Sequence, residues 1–401
     1  MRGKVVWVLT LVWCAFFVQC IVGAGSSGRR GVRLRLVAEY KHDILCDISS
    51  DGRLVLFYRS SYPTRSYRIY GGWVKANQPE VYDDELRVVD LRDGREVSRI
   101  RVEFFPENEQ LVPGTLKVFY KEPQRRGNEL RWVLRLWDFS TGEVEVCSSE
   151  DWANFRHATI VDSQHVFGAL YREGSGEAIA LLTLPDCKLA IGDPVNPSDP
   201  TRMTTGLIIS PNRRHLAYLT SGEVYIRDIA TLRIIERLKV PVGLVYKCGP
   251  IYTPDGKSLL VTASNMIFDK AEAKHYLLFY DTVNYEAVRQ LDITGWMPPK
   301  MSDDSAIASC FVGTALAVSP DGWVMAVGYT RVRERLLWTE EQAEVVLYDL
   351  SSGEEVGRVA HPAIRQRRDD PFAARVNRIA FTPDGKYMLT STYDTRVWRI
   401  E

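Results

Sequence analysis

A charge surplus, clustered cysteine and recognisable catalytic signatures are all missing from this 401-residue sequence. Lys and Arg together number 51, and so do Asp and Glu. That balance argues against a nucleic-acid surface or an acidic-membrane binder as the main role. Cysteines number seven, and Cys14 and Cys20 fall in an apolar N-terminal run. The other five, Cys46, Cys147, Cys187, Cys248 and Cys310, are odd in number and widely spaced. This excludes a dense disulfide framework and a CxxC-type metal site. They read as small apolar core residues with room for one incidental bridge. No Gly-rich phosphate loop, HExxH, GxSxG or calcium-loop pattern occurs. His42, His157, His165, His215, His275 and His361 are scattered along the chain. Asp303-Asp304 and Asp369-Asp370 lie in Pro-flanked segments, where adjacent acids serve as solubilising turn residues. No catalytic, metal-binding or cofactor-binding residue is assigned, and no cofactor is expected.

What is present favours a large β protein. Hydrophobic residues make up 45% of the chain and charged residues 25%, enough for a sizeable core. Aromatics reach 11%, with 19 Tyr and 10 Trp, a mixture that suits strands. The first 24 residues stand apart. Arg2 and Lys4 precede an uninterrupted apolar run, and Val22 and Ala24 give an A-x-A-like cleavage site. The expectation is a secretory signal peptide over 1–24 and a linker over 25–31, placing the mature protein outside the cell or in a periplasm. The alternative is an uncleaved membrane anchor, since the run is long enough to span a bilayer. A lipid on Cys20 is a third reading.

A repeat runs through the rest. "ILCDISSDGRLVLFY" (44–58), "GLIISPNRRHLAYLT" (206–220), "GPIYTPDGKSLLVTA" (249–263), "ALAVSPDGWVMAVGY" (315–329) and "RIAFTPDGKYMLTST" (378–392) superimpose. Each is an apolar run, a turn and a second apolar run. In Ser/Thr-Pro-Asp-Gly, Pro presets the first central position of a type I turn and Gly accepts the left-handed position that rejoins the hairpin. A second signature follows: "VVDLRDGREV" (88–97), "RLWDFSTGEV" (135–144), "YIRDIATLRI" (225–234), "LFYDTVNYEA" (278–287) and "VLYDLSSGEE" (346–355) are strands ending in Asp before a turn. Such an Asp can hydrogen-bond turn amides two residues on. Degenerate units near 104–120 and 157–192 bring the count to seven, and the last stops at Ile400 after its third strand.

Four strands per unit with an aromatic-Asp step resembles the WD-repeat β-propeller family. Trp137-Asp138 is the one literal WD, Tyr280-Asp281 and Tyr348-Asp349 are near variants, and the family's Gly-His dipeptide is absent. The resemblance covers roughly residues 32–401 and implies an all-β, seven-bladed propeller. "VRLRLVAEY" (32–40) would supply the missing outer strand of the last blade, as ring closure in that family suggests. Ser391, Asp394, Trp398 and His361 approach the family's structural hydrogen-bond set.

Strand parity then separates the two faces of the ring. Connections one and three of each four-stranded meander are short Asp-Gly-type turns. The long segments, 59–85, 121–129, 266–275, 295–310, 330–343 and 361–374, belong to connection two or to links between blades. Long connections on one face of a rigid ring are where repeat scaffolds carry function. Aromatic and Arg residues typify interface anchors, so the candidate partner-binding face comprises Tyr70, Trp73, Trp296, Arg333, Trp338 and Arg367. Capping of the ring by the aromatics of 59–85 is an equal alternative. The function expected is an interaction scaffold for a protein or peptide, acting as a monomer, with no nucleic acid and with a membrane only through the N-terminal segment. The contrasting reading is a lactonase-like or quinoprotein-like propeller enzyme with its site at the channel mouth.

Overall fold

The computed structural model describes residues 31–59, 84–102, 107–126, 129–147, 155–172, 176–184, 186–195, 204–220, 222–246, 249–265, 274–296, 316–334, 339–366 and 376–401. The compact unit Val32–Glu401 holds seven antiparallel sheets, six of them meanders whose strands pair in chain order. They form a seven-bladed β-propeller. Blade one consists of Asp43–Ile48, Leu54–Arg59, Asp84–Asp90 and Glu96–Val102, called strands a to d from the centre outward. Blades two to six occupy 107–147, 155–194, 204–238, 245–292 and 316–366. Strand a of blade five is divided into Val245–Tyr246 and Ile251–Tyr252, which both pair with Ser258–Ser264.

Blade seven takes strands a to c from Arg378–Phe381, Tyr387–Ser391 and Thr395–Ile400. Its outer strand is Leu34–Tyr40, from the other end of the chain. The register runs from Leu34 opposite Ile400 to Tyr40 opposite Thr395. The expected closure is therefore present, and the edge of Thr395–Ile400 is covered. Arg33 and Glu401 meet where other blades have their c–d turn: Arg33 N donates to Glu401 O at 3.1 Å and Glu401 N to Arg33 O at 2.8 Å.

The hydrophobic pattern follows from stacking blade on blade. A sheet buried on both faces needs apolar side chains on both. Val55, Leu56, Phe57 and Tyr58 are accordingly all buried. Leu56 and Tyr58 join the cluster shared with blade two, whereas Val55 and Phe57 join the one shared with blade seven. One such cluster fills every junction around the ring. Polar links tie the inner strands together. Leu111 N donates to Asp47 Oδ2 at 2.9 Å, and Gln110 bridges blade three by donating to Ala158 O at 2.6 Å and accepting from Ile160 N at 3.0 Å.

One correction concerns a single residue, and one bond is specified. In blade seven the hydroxyl at the centre of the hydrogen-bond set is Thr390, not Ser391. Trp398 Nε1 donates to Thr390 Oγ1 at 2.8 Å, and His361 Nε2 lies 2.9 Å from the same oxygen. Ser391, one position on, faces the other way and accepts from Leu45 N of blade one at 2.9 Å. Asp394 accepts from His42 N at 2.7 Å. Among the cysteines, Cys46 is a buried thiol, but Cys147 and Cys187 form a disulfide with a Cα separation of 5.6 Å. It joins the outer strand of blade two to the c–d turn of blade three.

Candidate interaction face

Meander topology sorts the connections as parity requires. The a–b and c–d turns lie at one end of the strands, and the b–c connections and inter-blade links at the other. At the short-turn end, the carboxylates are already engaged by their own turns. Asp90 Oδ1 accepts from Arg92 N at 3.0 Å, Asp138 Oδ1 from Ser140 N at 2.9 Å and Asp281 Oδ1 from Val283 N at 2.8 Å. Bonds from Ser140, Thr231, Thr253 and Thr382 hold Asp138, Asp228, Asp255 and Asp384 below the usual carboxylate range. A carboxylate stabilised by turn donors is committed to turn geometry.

At the other end, buried charges brace the strands from which long connections depart. Asp43, 1% exposed, pairs with Arg59 (Nε to Oδ1, 2.8 Å) and Arg87 (Nη1 to Oδ2, 2.6 Å). Tyr58 donates to Asp84 beside them, so both strands flanking residues 60–83 are pinned at their ends. In blade two the buried Lys121 ammonium donates to Phe155 O of blade three at 2.9 Å and lies 4.4 Å from the Trp132 ring centroid. Its neighbour Glu122 is ion-paired with Arg135. Removing one partner of such a buried pair leaves an uncompensated charge, which costs far more than a surface pair contributes.

Two segments read as long loops are strand at every described residue. Residues 121–126 and 129 belong to Lys117–Arg126 and Glu129–Asp138, paired out to Arg126 opposite Glu129. Residues 330–334 and 339–343 belong to Val324–Glu334 and Thr339–Asp349, paired out to Glu334 opposite Thr339. Ile364–Gln366 then adds to the edge of Thr339–Glu341. Among the described residues, blades two and six therefore extend past strand a, which pairs with the first part of each strand b. Cross-strand pairing supplies the order.

Of the six candidate residues, Tyr70, Trp73, Trp338 and Arg367 lie outside the described residues. Arg333 occupies the blade-six extension opposite Glu340. Trp296 is corrected. It ends the short 3-10 helix Thr294–Trp296 after the outer strand of blade five, and the residue is only 6% exposed. The indole stacks on Tyr348 of blade six with centroids 4.1 Å apart, and its N–H donates to Gly353 O at 2.8 Å. It is an inter-blade wedge, and it leaves the candidate set.

Among the described residues, no group of three or more His, Cys, Asp or Glu side chains is arranged to hold a metal ion. No described helix is long and apolar enough to cross a membrane. The class defined by fold is the seven-bladed β-propeller. Compared with known proteins, the sequence matches no protein-family model and no curated protein.

Proposed function

We propose that this chain is an exported, WD-repeat-like β-propeller that serves as an interaction scaffold, binding a protein or peptide on the face that carries the long connections. The observation that carries this reading is the asymmetry of the two faces. One is closed by tight turns whose carboxylates are engaged locally. The other has extended hairpins in blades two and six and strand ends braced by buried ion pairs. A rigid ring bearing variable connections on one side is how such scaffolds present a binding surface. Export is supported by the Cys147–Cys187 bond, since stable disulfides belong to oxidising compartments. WD-repeat likeness is supported by the Trp398–Thr390–His361 set.

The test compares two sets of variants in a pull-down from the native source. Trp73→Ala and Trp338→Ala should weaken capture of the partner by about 2 kcal/mol or more, as loss of an aromatic anchor does. Arg92→Ala and Ser351→Ala, in short turns, should leave it unchanged. The opposite pattern would remove the long-connection face as the site.

A further inference from the structure

One turn position recurs around the ring. Gly94, Gly142, Cys187, Leu232, Tyr285 and Gly353 each hold a left-handed backbone, with φ from 56° to 82°. They occupy the same place in the c–d turns of blades one to six. In five of them the residue's N–H closes the turn onto the strand-ending Asp, at 2.9 Å for Gly94 and Leu232, 2.8 Å for Gly142 and Tyr285, and 2.7 Å for Gly353. Cys187 precedes Lys188, which pairs with Thr183 in the corresponding register. Glycine is the expected occupant of such a backbone, and any other residue is strained there. Cys, Leu and Tyr nevertheless hold it in three successive blades.

All three side chains reach back to the preceding blade. Cys187 is bonded to Cys147 on the outer strand of blade two. Leu232 covers Gly192 on the outer strand of blade three so closely that a Cβ there would come within 3.0 Å of the Leu232 Cβ. Tyr285 Oη lies 2.6 Å from His215 Nδ1 of blade four. The Gly353 turn of blade six is instead approached from blade five, by Leu291, Arg289 and Trp296.

We propose that this turn position is a latch between successive blades, and that Cys187–Cys147 is its redox-operated member. When the bond is oxidised, blades two and three are locked; when it is reduced, their outer seam opens locally while the rest of the ring stays closed. The chemistry is an ordinary exchange. A dithiol delivers two electrons and two protons, the S–S bond becomes two thiols, and the dithiol closes into its own disulfide. Among the described residues, the outer strand of blade two is Val144–Cys147, paired with Leu134–Trp137. The covalent link sits at the end of this ladder and ties it to blade three.

The experiment is hydrogen exchange read by mass spectrometry on the full chain, with and without dithiothreitol. Reduction should lower protection across 144–147 and 186–189 by about tenfold or more, with blades five to seven unchanged. A Cys147→Ala/Cys187→Ala double variant should show the reduced pattern whether or not the dithiol is present. If that variant does not fold, the wild-type reduction series carries the same test. Unchanged protection beside the bond, or an equal loss in all seven blades, overturns the redox latch. Leu232→Gly tests the position itself. Relief of backbone strain alone would raise Tm, whereas a latch requires Tm to fall, and a raised Tm overturns the general role.

Discussion

Trp296 stacks nearly parallel on Tyr348, with an interplanar angle of 11° and ring centroids 4.1 Å apart, although the two residues belong to different blades. The stack is closed at one end by the indole N–H bond to Gly353 O. It therefore joins a link after blade five to both strand c and the c–d turn of blade six. Trp296→Ala would empty this wedge and leave the Gly353 carbonyl without its donor. The loss should be about 3 to 5 kcal/mol, as for other buried Trp truncations. Denaturant melts would show a lowered midpoint. Trp296→Phe should recover part of that, keeping the stack and lacking the N–H.

Ring closure gives a second expectation. Leu34–Tyr40 pairs with Thr395–Ile400 along its length, and Arg396 ties the strands further through its ion pair with Glu39 at 2.6 Å. Deleting residues 32–40 uncovers an apolar strand edge and breaks the cluster shared by blades seven and one. Size-exclusion chromatography should show aggregation, and the melting transition should fall or disappear. A truncated protein of monomeric size with an unchanged melt would contradict the role assigned to this strand.

These features differ in how far the sequence announces them. The propeller and its closure are legible because each blade repeats the same chemistry, a Pro-Asp-Gly-type turn and an Asp-terminated strand, and a repeat with three strands at one end and one at the other completes itself. The Thr390 hub is harder to read. Thr390 and Ser391 are both hydroxyls, and only the period-two alternation of the strand decides which of them meets His361. Trp296 looks like a surface aromatic because it sits in a Gly-flanked link, and its burial is decided by Tyr348, far along the chain. The strand extensions 121–126 and 330–334, with their partners 129–134 and 339–343, are interspersed with charged residues, so no clean hydrophobic alternation marks them. For the disulfide there is a signal. Cys187 stands where blades one, two and six place glycine, an anomaly that is plain once the turns are aligned.

Acid should weaken the ring through its histidines. Burial first, and the nearby Arg396 charge second, push His361 down from 6.5 to about 3. Burial lowers His215 as well. Above pH 6.5 both are neutral whether the chain is folded or not, and their contribution to stability is fully present. As pH falls below 6.5 the unfolded chain takes up protons that the folded ring refuses. For His361 this removes about 1.4 kcal/mol per pH unit until about pH 3. The depressed carboxylates Asp138 and Asp384 act in the same direction below the ordinary carboxylate range. Urea melts from pH 7 to pH 4 should show falling stability. His361→Gln should start lower, yet decline less steeply over that interval. Equal slopes for the two proteins would remove His361 as the cause.

Gly168 in strand b of blade three faces Phe155 at the start of strand a, and a Cβ on Gly168 would stand 2.3 Å from Phe155 Cζ. Accommodation by a small shift is blocked on two sides. Phe155 is fully buried within the cluster between blades two and three. Its carbonyl is also held by the Lys121 ammonium at 2.9 Å, so moving the residue disturbs a buried charge. Gly168→Ala should therefore destabilise the protein by about 1 to 3 kcal/mol or more, the range for forced overpacking. The sign is informative, because relief of glycine's backbone freedom would by itself favour Ala in a strand. Phe155→Leu alone should cost stability through lost packing. Combined with Gly168→Ala it should cost less than the sum of the two, since the smaller side chain makes room for the new methyl group. Strict additivity in that cycle would show that the steric conflict between these two residues does not set the cost.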